Sequence, residues 1–419
     1  MKKPISLAVA AVVMGSAGAS AHVPEAEWAQ FKKEYAALVE RVNALSAENE
    51  ALKASMTGVG MVAVEDLAAA NARIDTLEQQ NQDSGWAEKV KWQGDFRYRY
   101  EDIDDKSKDS DRQRHRIRAR AALIAKPVDT IEVGLGLATG GDDPVSTNQT
   151  LGGGGSTKDI KLDLAYAKWQ PGAFWLSGGK AKNPYYTPFK SQLIWDGDFR
   201  PEGIFAGWEG KHFFVNTSYI HINSDSGDRG DDLDEYIWGA QVGGKLGPVT
   251  VAAGYLDIPT EGLPSIYDDD FFGNSSVIGS GGELVYEYDY NLITVGADAT
   301  FNLGSLPLSF YGDFVQNDDA DDLDQGYLLG VKLGSAKKQG TWQVQYQWES
   351  LEADATLGLV SDSDFMGGGT DGEGHRIGAA YALLDKWTLG FTYFDGTRGM
   401  DLGDDDDYQR LQIDTQFKY

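Results

Sequence analysis

The stretch that decides the fold is Trp342-Gln343-Val344-Gln345-Tyr346-Gln347-Trp348-Glu349. Large apolar side chains alternate in it with polar ones at every second position, as in a β-strand with one apolar and one polar environment. The end of the chain repeats the pattern, with Leu411, Ile413, Thr415, Phe417 and Tyr419 between Gln412, Asp414, Gln416 and Lys418. A soluble β-sandwich would show the same alternation, so these strands alone do not decide the class.

The connections between such blocks decide it. From Gly85 onward, sixteen strands are predicted, at residues 91–101, 112–126, 129–139, 159–170, 172–180, 203–211, 212–223, 234–246, 248–258, 286–302, 305–317, 324–335, 339–351, 373–384, 386–397 and 407–419. The connectors are long after odd-numbered strands and short after even-numbered ones, an asymmetry typical of outer-membrane barrels. We therefore predict an all-β transmembrane barrel of sixteen antiparallel strands over residues 85–419, with a water-filled lumen.

One predicted strand carries a row of arginines on a single face: Arg112, Arg114, Arg116, Arg118 and Arg120. Facing lipid, each arginine near the bilayer midplane would cost about 2–4 kcal/mol, so the row is predicted to line the lumen. The first and last strands add Arg97, Arg99 and Arg410 to this wall. Fixed positive charge in a pore concentrates anions. Pairing with Asp95, Glu101, Asp163 or loop carboxylates would instead leave little net selectivity, and the sequence leaves both readings open.

The first residues resemble a secretory signal. Lys2 and Lys3 precede an apolar run over residues 5–14, and small residues follow up to Ala21. This order predicts a signal peptide at residues 1–21, cleaved before His22, with an N-terminal membrane anchor as the alternative. An exported chain of this composition is periplasmic, released or in the outer membrane.

Residues 22–84 have a helical period instead. Apolar residues spaced alternately by three and four form a heptad seam: Trp28, Phe31, Tyr35, Leu38, Val42, Leu45, Leu52 and Met56, with Asn49 in the one gap. This spacing predicts a coiled-coil stalk, interrupted at residues 58–60 and located in the periplasm beside the chain ends of the barrel. A single amphipathic helix lying on a globular body is the alternative.

Composition excludes several function classes. The chain has 419 residues, no cysteine and a net charge of -28, which rules out disulfides and thiolate metal sites and argues against a nucleic-acid partner. A mean hydropathy of -0.39 argues against a helical membrane bundle. The histidines form no nucleophile arrangement and no phosphate-binding loop is present, so we expect neither an enzyme nor a cofactor.

The third long connector carries a more specific pattern. It begins Gly179-Lys180-Ala181-Lys182-Asn183-Pro184 and ends Trp195-Asp196-Gly197-Asp198-Phe199-Arg200-Pro201-Glu202-Gly203. These motifs resemble those of the putative porin family of Gram-negative outer-membrane proteins, and the chain is more weakly similar to the phosphate-selective porins. The resemblance implies a third loop folded inward as a constriction lined by Lys182, Lys190, Asp196, Asp198 and Arg200. An outward loop that packs on a neighbouring subunit is the alternative.

The prediction of an outer-membrane barrel also implies several partners. The terminal Tyr419 is similar to the C-terminal aromatic signal read by the barrel-assembly machinery. Aspartate clusters at 268–270, 318–324 and 404–407 are predicted in external loops, either solvated or bridged by divalent cations to lipopolysaccharide. A homotrimer in outer-membrane lipid is expected, because wide porins bury one barrel wall and the stalk needs partners.

The predicted function is passive diffusion of small hydrophilic solutes through the outer membrane, with an anion preference. The alternative is a structural envelope protein whose stalk tethers or spaces the membrane. Solute uptake and envelope integrity after deletion of residues 22–83 would distinguish the two.

Overall fold

The computed structural model describes residues 25–56, 71–76, 89–223 and 235–419. The chain divides into two units, Met1–Ser84 and Gly85–Tyr419. The predicted signal peptide and the predicted interruption at residues 58–60 lie outside the described residues, so both stay predictions.

The first unit contains helix α1 (Glu25–Met56), and residues 71–76 are also helical. Apolar side chains of the predicted seam, among them Leu38 and Val42, are exposed on this helix. An ion pair joins Glu48 to Arg73. Among the described residues, no helix is both long enough and apolar enough to cross a membrane. The coiled coil itself stays a prediction, since a seam of this kind requires a partner helix.

The second unit is a closed antiparallel barrel of sixteen strands. Its strands are β1 (Val90–Asp105), β2 (Arg112–Val128), β3 (Ile131–Thr139), β5 (Ile160–Trp169), β6 (Phe174–Lys180), β7 (Glu202–Glu209), β8 (Phe213–Asn223), β9 (Glu235–Leu246), β10 (Val249–Ile258), β13 (Tyr290–Leu303), β14 (Leu306–Asn317), β15 (Gln325–Gly334), β16 (Trp342–Leu351), β17 (Gly372–Leu384), β18 (Trp387–Arg398) and β19 (Asp406–Lys418). Each pairs with the next, and β19 pairs with β1 to close the ring. All sixteen predicted strands are confirmed, each within about four residues of its predicted ends.

The connectors contain shorter elements that the sequence did not predict. These are strands β4 (Gln149–Thr150), β11 (Ser276–Ile278) and β12 (Leu284–Tyr286), and the 3-10 helices Pro188–Lys190, Gly358–Val360 and Phe365–Gly367. The long connectors lie at one end of the barrel, here the loop end, and the short ones at the other, here the turn end. The third, fifth and seventh long connectors are called the third loop (181–201), the fifth loop (259–289) and the seventh loop (352–371).

Burial alternates along the strands and separates two faces of the wall. On β1, Asp95, Arg99 and Glu101 are buried, whereas Phe96 and Tyr98 between them are exposed. The apolar outer face would be an aggregation hazard in water, but it matches the hydrocarbon core of a bilayer. The polar residues therefore lie on the inner face of the barrel.

The inside of the barrel is largely occupied by its own loops. The main apolar cluster joins inward strand residues such as Leu292, Val315 and Leu328 to Trp195 of the third loop and Leu357 of the seventh loop. Each of these side chains is nearly inaccessible to solvent. The loops thus pack as a second layer against the inner wall and narrow the lumen.

Candidate functional site

Eight arginines from β1, β2 and β19 share the inner face and are called the arginine wall. They are Arg97, Arg99, Arg112, Arg114, Arg116, Arg118, Arg120 and Arg410. The register places Arg97 opposite Arg118 and Arg99 opposite Arg116. Their outward neighbours on β2, such as Ile117 and Leu123, belong to the apolar face. The period-two pattern thus brings the predicted row together on adjacent strands.

Glu101 is the centre of one charge cluster on this wall. It is completely buried and accepts hydrogen bonds from Arg410 at 2.6 Å, Arg99 at 3.3 Å and Arg114. Arg116 lies 3.9 Å from the same carboxylate. A buried carboxylate is tolerated here because several guanidinium groups surround it.

The seventh loop adds a second carboxylate to this cluster. Asp364 accepts hydrogen bonds from Arg99 at 2.8 Å and from Arg410 at 2.7 Å. Burial opposes ionisation, but Arg410 and Arg99 outweigh it and hold the pKa of Asp364 well below its usual range. Asp364 therefore stays ionised and ties the seventh loop to the wall.

The third loop makes the equivalent contact closer to the turn end. Arg118 and Arg120 both pair with Asp95 of β1, at 2.9 and 2.7 Å, and both also face Asp198. Arg120 donates to Asp198 at 2.8 Å and Arg118 lies 3.5 Å from it. Burial raises the pKa of Asp198, but Arg118 and Arg120 reverse this and lower it overall.

The carboxylates do not balance the wall. Within residues 89–223 and 235–419, the eight arginines have five carboxylates within ion-pair distance: Asp95, Glu101, Asp198, Asp364 and Asp414. An excess of three positive charges remains. Arg97 donates a hydrogen bond to Asn148 at 2.6 Å instead. Arg116 donates a long one to Ser146 at 3.4 Å. The Nε atoms of both arginines are buried and have no hydrogen-bond partner in the described chain. Asp163, expected as a wall partner, pairs with Arg200 instead, at 3.3 Å.

The third loop folds inward, as the family motifs imply. Gln241 of β9 accepts from the Tyr186 amide at 2.8 Å and donates to its carbonyl at 2.9 Å. On β13, Gly296 leaves the space that Pro188 fills, because a Cβ there would lie 2.8 Å from the proline ring. The alternative of an outward loop is therefore wrong.

The five residues predicted for the constriction separate into two groups. Asp196, Asp198 and Arg200 are engaged in the contacts between loop and wall or between loops. Lys182 and Lys190 have exposed side chains that line a cavity at the turn end of the barrel. The loop thus carries three residues held in fixed contacts and two lysines that have no carboxylate within ion-pair distance among the described residues.

Sequence reasoning missed the seventh loop. It meets the third loop directly: the Asp196 amide donates to the Val360 carbonyl at 2.7 Å, and the Ser363 amide donates to the Asp196 carboxylate at 2.9 Å. Its spacing Asp362-Ser-Asp364 repeats that of Asp196-Gly-Asp198. That repeat, beside the apolar residues 357–360, was a signal that this connector is buried rather than solvated.

In each loop the second aspartate contacts arginines of the wall. The first aspartate of the third loop, Asp196, contacts the seventh loop, and that of the seventh loop, Asp362, lies near Arg376 of β17. Burial and the charges of Asp362 and Asp198 raise the pKa of Asp196 well above its usual range. Burial also raises the pKa of Asp362, against the pull of Arg376 3.8 Å away. Burial therefore makes ionisation of both first aspartates less favourable while the loops are joined.

We expect the channel to widen as the pH rises. A carboxyl whose pKa is raised in the joined state stabilises that state fully below its ordinary pKa, and the contribution is lost as the pH rises through the raised pKa. Single-channel conductance should therefore increase with pH, and Asp196→Asn should remove most of this dependence. The exposed Asp404→Asn is the matched control. A pH response that survives in Asp196→Asn would contradict this role.

Two of the cavities lined by the third loop lie at opposite ends of the barrel. The loop-end cavity has a volume of about 420 Å³ and the turn-end cavity about 530 Å³. Asp163, Phe199 and Arg200 line both. The segment around Phe199 and Arg200 therefore separates the two and is the candidate constriction. In the described part of the chain, no group of three or more His, Asp or Glu side chains is arranged to hold a metal ion, the outer aspartate clusters included.

Comparison with known proteins agrees with this architecture. A family model described as putative porin matches residues 104–252 and 271–416, which confirms the resemblance of the loop motifs. The fold is similar to that of OprB from Pseudomonas putida, with 12% identity and a TM-score of 0.57 over 82% of this chain and 97% of that one. No curated protein is significantly similar to this chain.

Two other solved structures match with lower scores. A triple mutant of the Rhodopseudomonas blastica porin has 12% identity and a TM-score of 0.46, over 79% of this chain and 100% of that one. OmpT of Vibrio cholerae, described as its trimer form, has 13% identity and a TM-score of 0.45, over 79% and 99%.

Proposed function

This chain belongs to the putative porin family, and from that premise we propose that it lets small hydrophilic solutes diffuse through the bacterial outer membrane with a preference for anions. The family and the barrel fold support an outer-membrane porin channel. The preference for anions goes beyond what the family and the fold support. It rests on one observation, the excess of three arginines over carboxylates on the inner wall.

The physical reason is electrostatic. Charges inside a narrow aqueous lumen are screened less than on an open surface, so an uncompensated guanidinium attracts anions and repels cations. Ion pairs such as Arg120 with Asp95 contribute a local field but little net charge. Arg97 and Arg116, which have few partners, are the residues that should carry most of the preference.

The test is the reversal potential in a potassium chloride gradient across a planar bilayer. The full-length protein should give the sign of chloride preference. Arg97→Gln combined with Arg116→Gln removes two of the three excess charges, and it should lower the chloride-to-potassium permeability ratio most of the way to unity. Lys108→Gln is the matched control, because Lys108 is exposed in the first long connector and is not part of the arginine wall. A cation-selective full-length channel would overturn the proposal.

The first unit supports a further proposal about assembly. Leu38 and Val42 of the predicted seam are exposed on α1, and burying such side chains between helices of separate chains would stabilise association. We place this stalk in the periplasm, because both ends of the barrel chain lie at its turn end. A trimer of barrels would give the three helices their partners. The role as an envelope spacer remains the alternative for this unit.

A further inference from the structure

The turn-end cavity contains cations that the ion-pair network of the wall does not use. Lys182, Lys190 and Lys418 line it, and within the described residues none of the three has a carboxylate within ion-pair distance. By contrast, Arg120 and Arg200, which line the same cavity, are each paired with aspartate. Three free ammonium groups therefore converge on a water-filled space.

These cations repel one another. Partial loss of hydration inside the barrel first, and then the charges of Arg200, Arg120 and Lys190, lower the pKa of Lys182. A bound anion would relieve this repulsion, because opposite charge within a few ångströms stabilises the ammonium form. The cavity thus has the electrostatics of an anion site rather than of a passive vestibule.

The same cavity has an aromatic wall. Trp195 is stacked on Phe199 with ring centroids 5.5 Å apart and planes inclined by 6°, and Tyr185 covers its other face at 6.2 Å and 11°. Trp195 is only 4% exposed, so the stack is held rigidly. Phe199 is its outermost ring and borders both cavities. A flat ring that passes the constriction meets Phe199 beside the lysines.

We propose that the turn-end cavity binds an aromatic carboxylate, with its ring against Phe199 and its carboxylate at Lys182 and Lys190. This step rests on the proposed function, since the ligand must first pass an anion-preferring lumen. The volume of about 530 Å³ is in the range of small-molecule sites. Lysine alone would accept any anion, so the ring contact makes the site selective. The gain from an aromatic pair corresponds to roughly a 2- to 12-fold difference in affinity.

The experiment measures how benzoate, cyclohexanecarboxylate and acetate each reduce the chloride current of the full-length protein in planar bilayers. Benzoate should halve the current at the lowest concentration and acetate at the highest. Equal potency of benzoate and cyclohexanecarboxylate in the unaltered protein would overturn the proposal without any variant.

Two variants locate the site. Phe199→Leu should raise the half-blocking concentration of benzoate by roughly 2- to 12-fold and leave that of acetate unchanged, whereas Phe199→Tyr should keep the preference. Lys182→Gln combined with Lys190→Gln should weaken block by all three acids. If Phe199→Leu leaves the benzoate value unchanged, the ring contact is absent. Failure of the proposed function would show separately, as a cation-selective reversal potential in potassium chloride.

Discussion

Replacing residues 355–365 of the seventh loop by a short Gly-Ser linker is expected to at least double the single-channel conductance. These residues lie inside the barrel, and Leu357, Val360 and Phe365 are almost fully buried there. A polar linker has no apolar surface to hold it against the wall, so water would fill the cross-section that the loop now occupies. The measurement is conductance of single channels in planar bilayers.

The same change should also increase the anion preference. It removes Asp364, which now pairs with Arg99 and Arg410, and so adds one uncompensated positive charge to the wall. Deletion of residues 152–155 in the second long connector is the matched control, because these glycines are exposed. Unchanged conductance after the replacement would mean that the seventh loop does not limit the current.

Glu101→Gln is expected to lower the free energy of unfolding by about 3–5 kcal/mol, the usual cost of removing one partner from a buried ion pair. Glu101 is 0% exposed, and its loss leaves Arg114 without its carboxylate. Arg410 would keep only Asp364. The neutral amide fills the same volume, so the effect reports charge rather than packing.

Urea-induced unfolding in detergent micelles, followed by tryptophan fluorescence, measures the change. Glu209→Gln is the matched control: Glu209 forms one ion pair, with Lys245 at 3.0 Å, and its side chain is 59% exposed. Such a surface pair contributes only about 0–1 kcal/mol. Similar midpoints for the two variants would show that water in the lumen already screens Glu101.

The barrel could be predicted from the local sequence pattern, because successive side chains of a strand alternate between the lipid-facing and the lumen-facing side of the wall. Phe96 and Tyr98 face outward and Arg97 and Arg99 face inward for the same geometric reason, and one strand suffices to see it. The inward third loop was implied by the resemblance of its motifs, which include Trp195-Asp196, to those of the putative porin family. Both inferences depend on residues that are close in sequence.

The partners of the arginines could not be predicted in this way. Asp364 meets Arg99 across 265 residues, and only the path of the seventh loop brings them together. The sequence allowed either a wall with excess positive charge or a wall whose arginines are all paired with carboxylates. Which of the two forms depends on which loops enter the barrel. The coiled coil stays a prediction, because a heptad seam requires a partner helix.

Because β1 pairs with β19, the barrel cannot close until the whole chain has been synthesised. Arg99 and Asp414 are hydrogen-bonded neighbours, yet 315 residues separate them along the chain. At translation rates of roughly 5–20 residues per second, β1 waits on the order of 15–60 s before its partner exists. Throughout that interval the nascent polypeptide exposes an unsatisfied strand edge, which readily templates aggregation. We therefore expect the exported chain to need protection from aggregation until β19 is available to pair with β1.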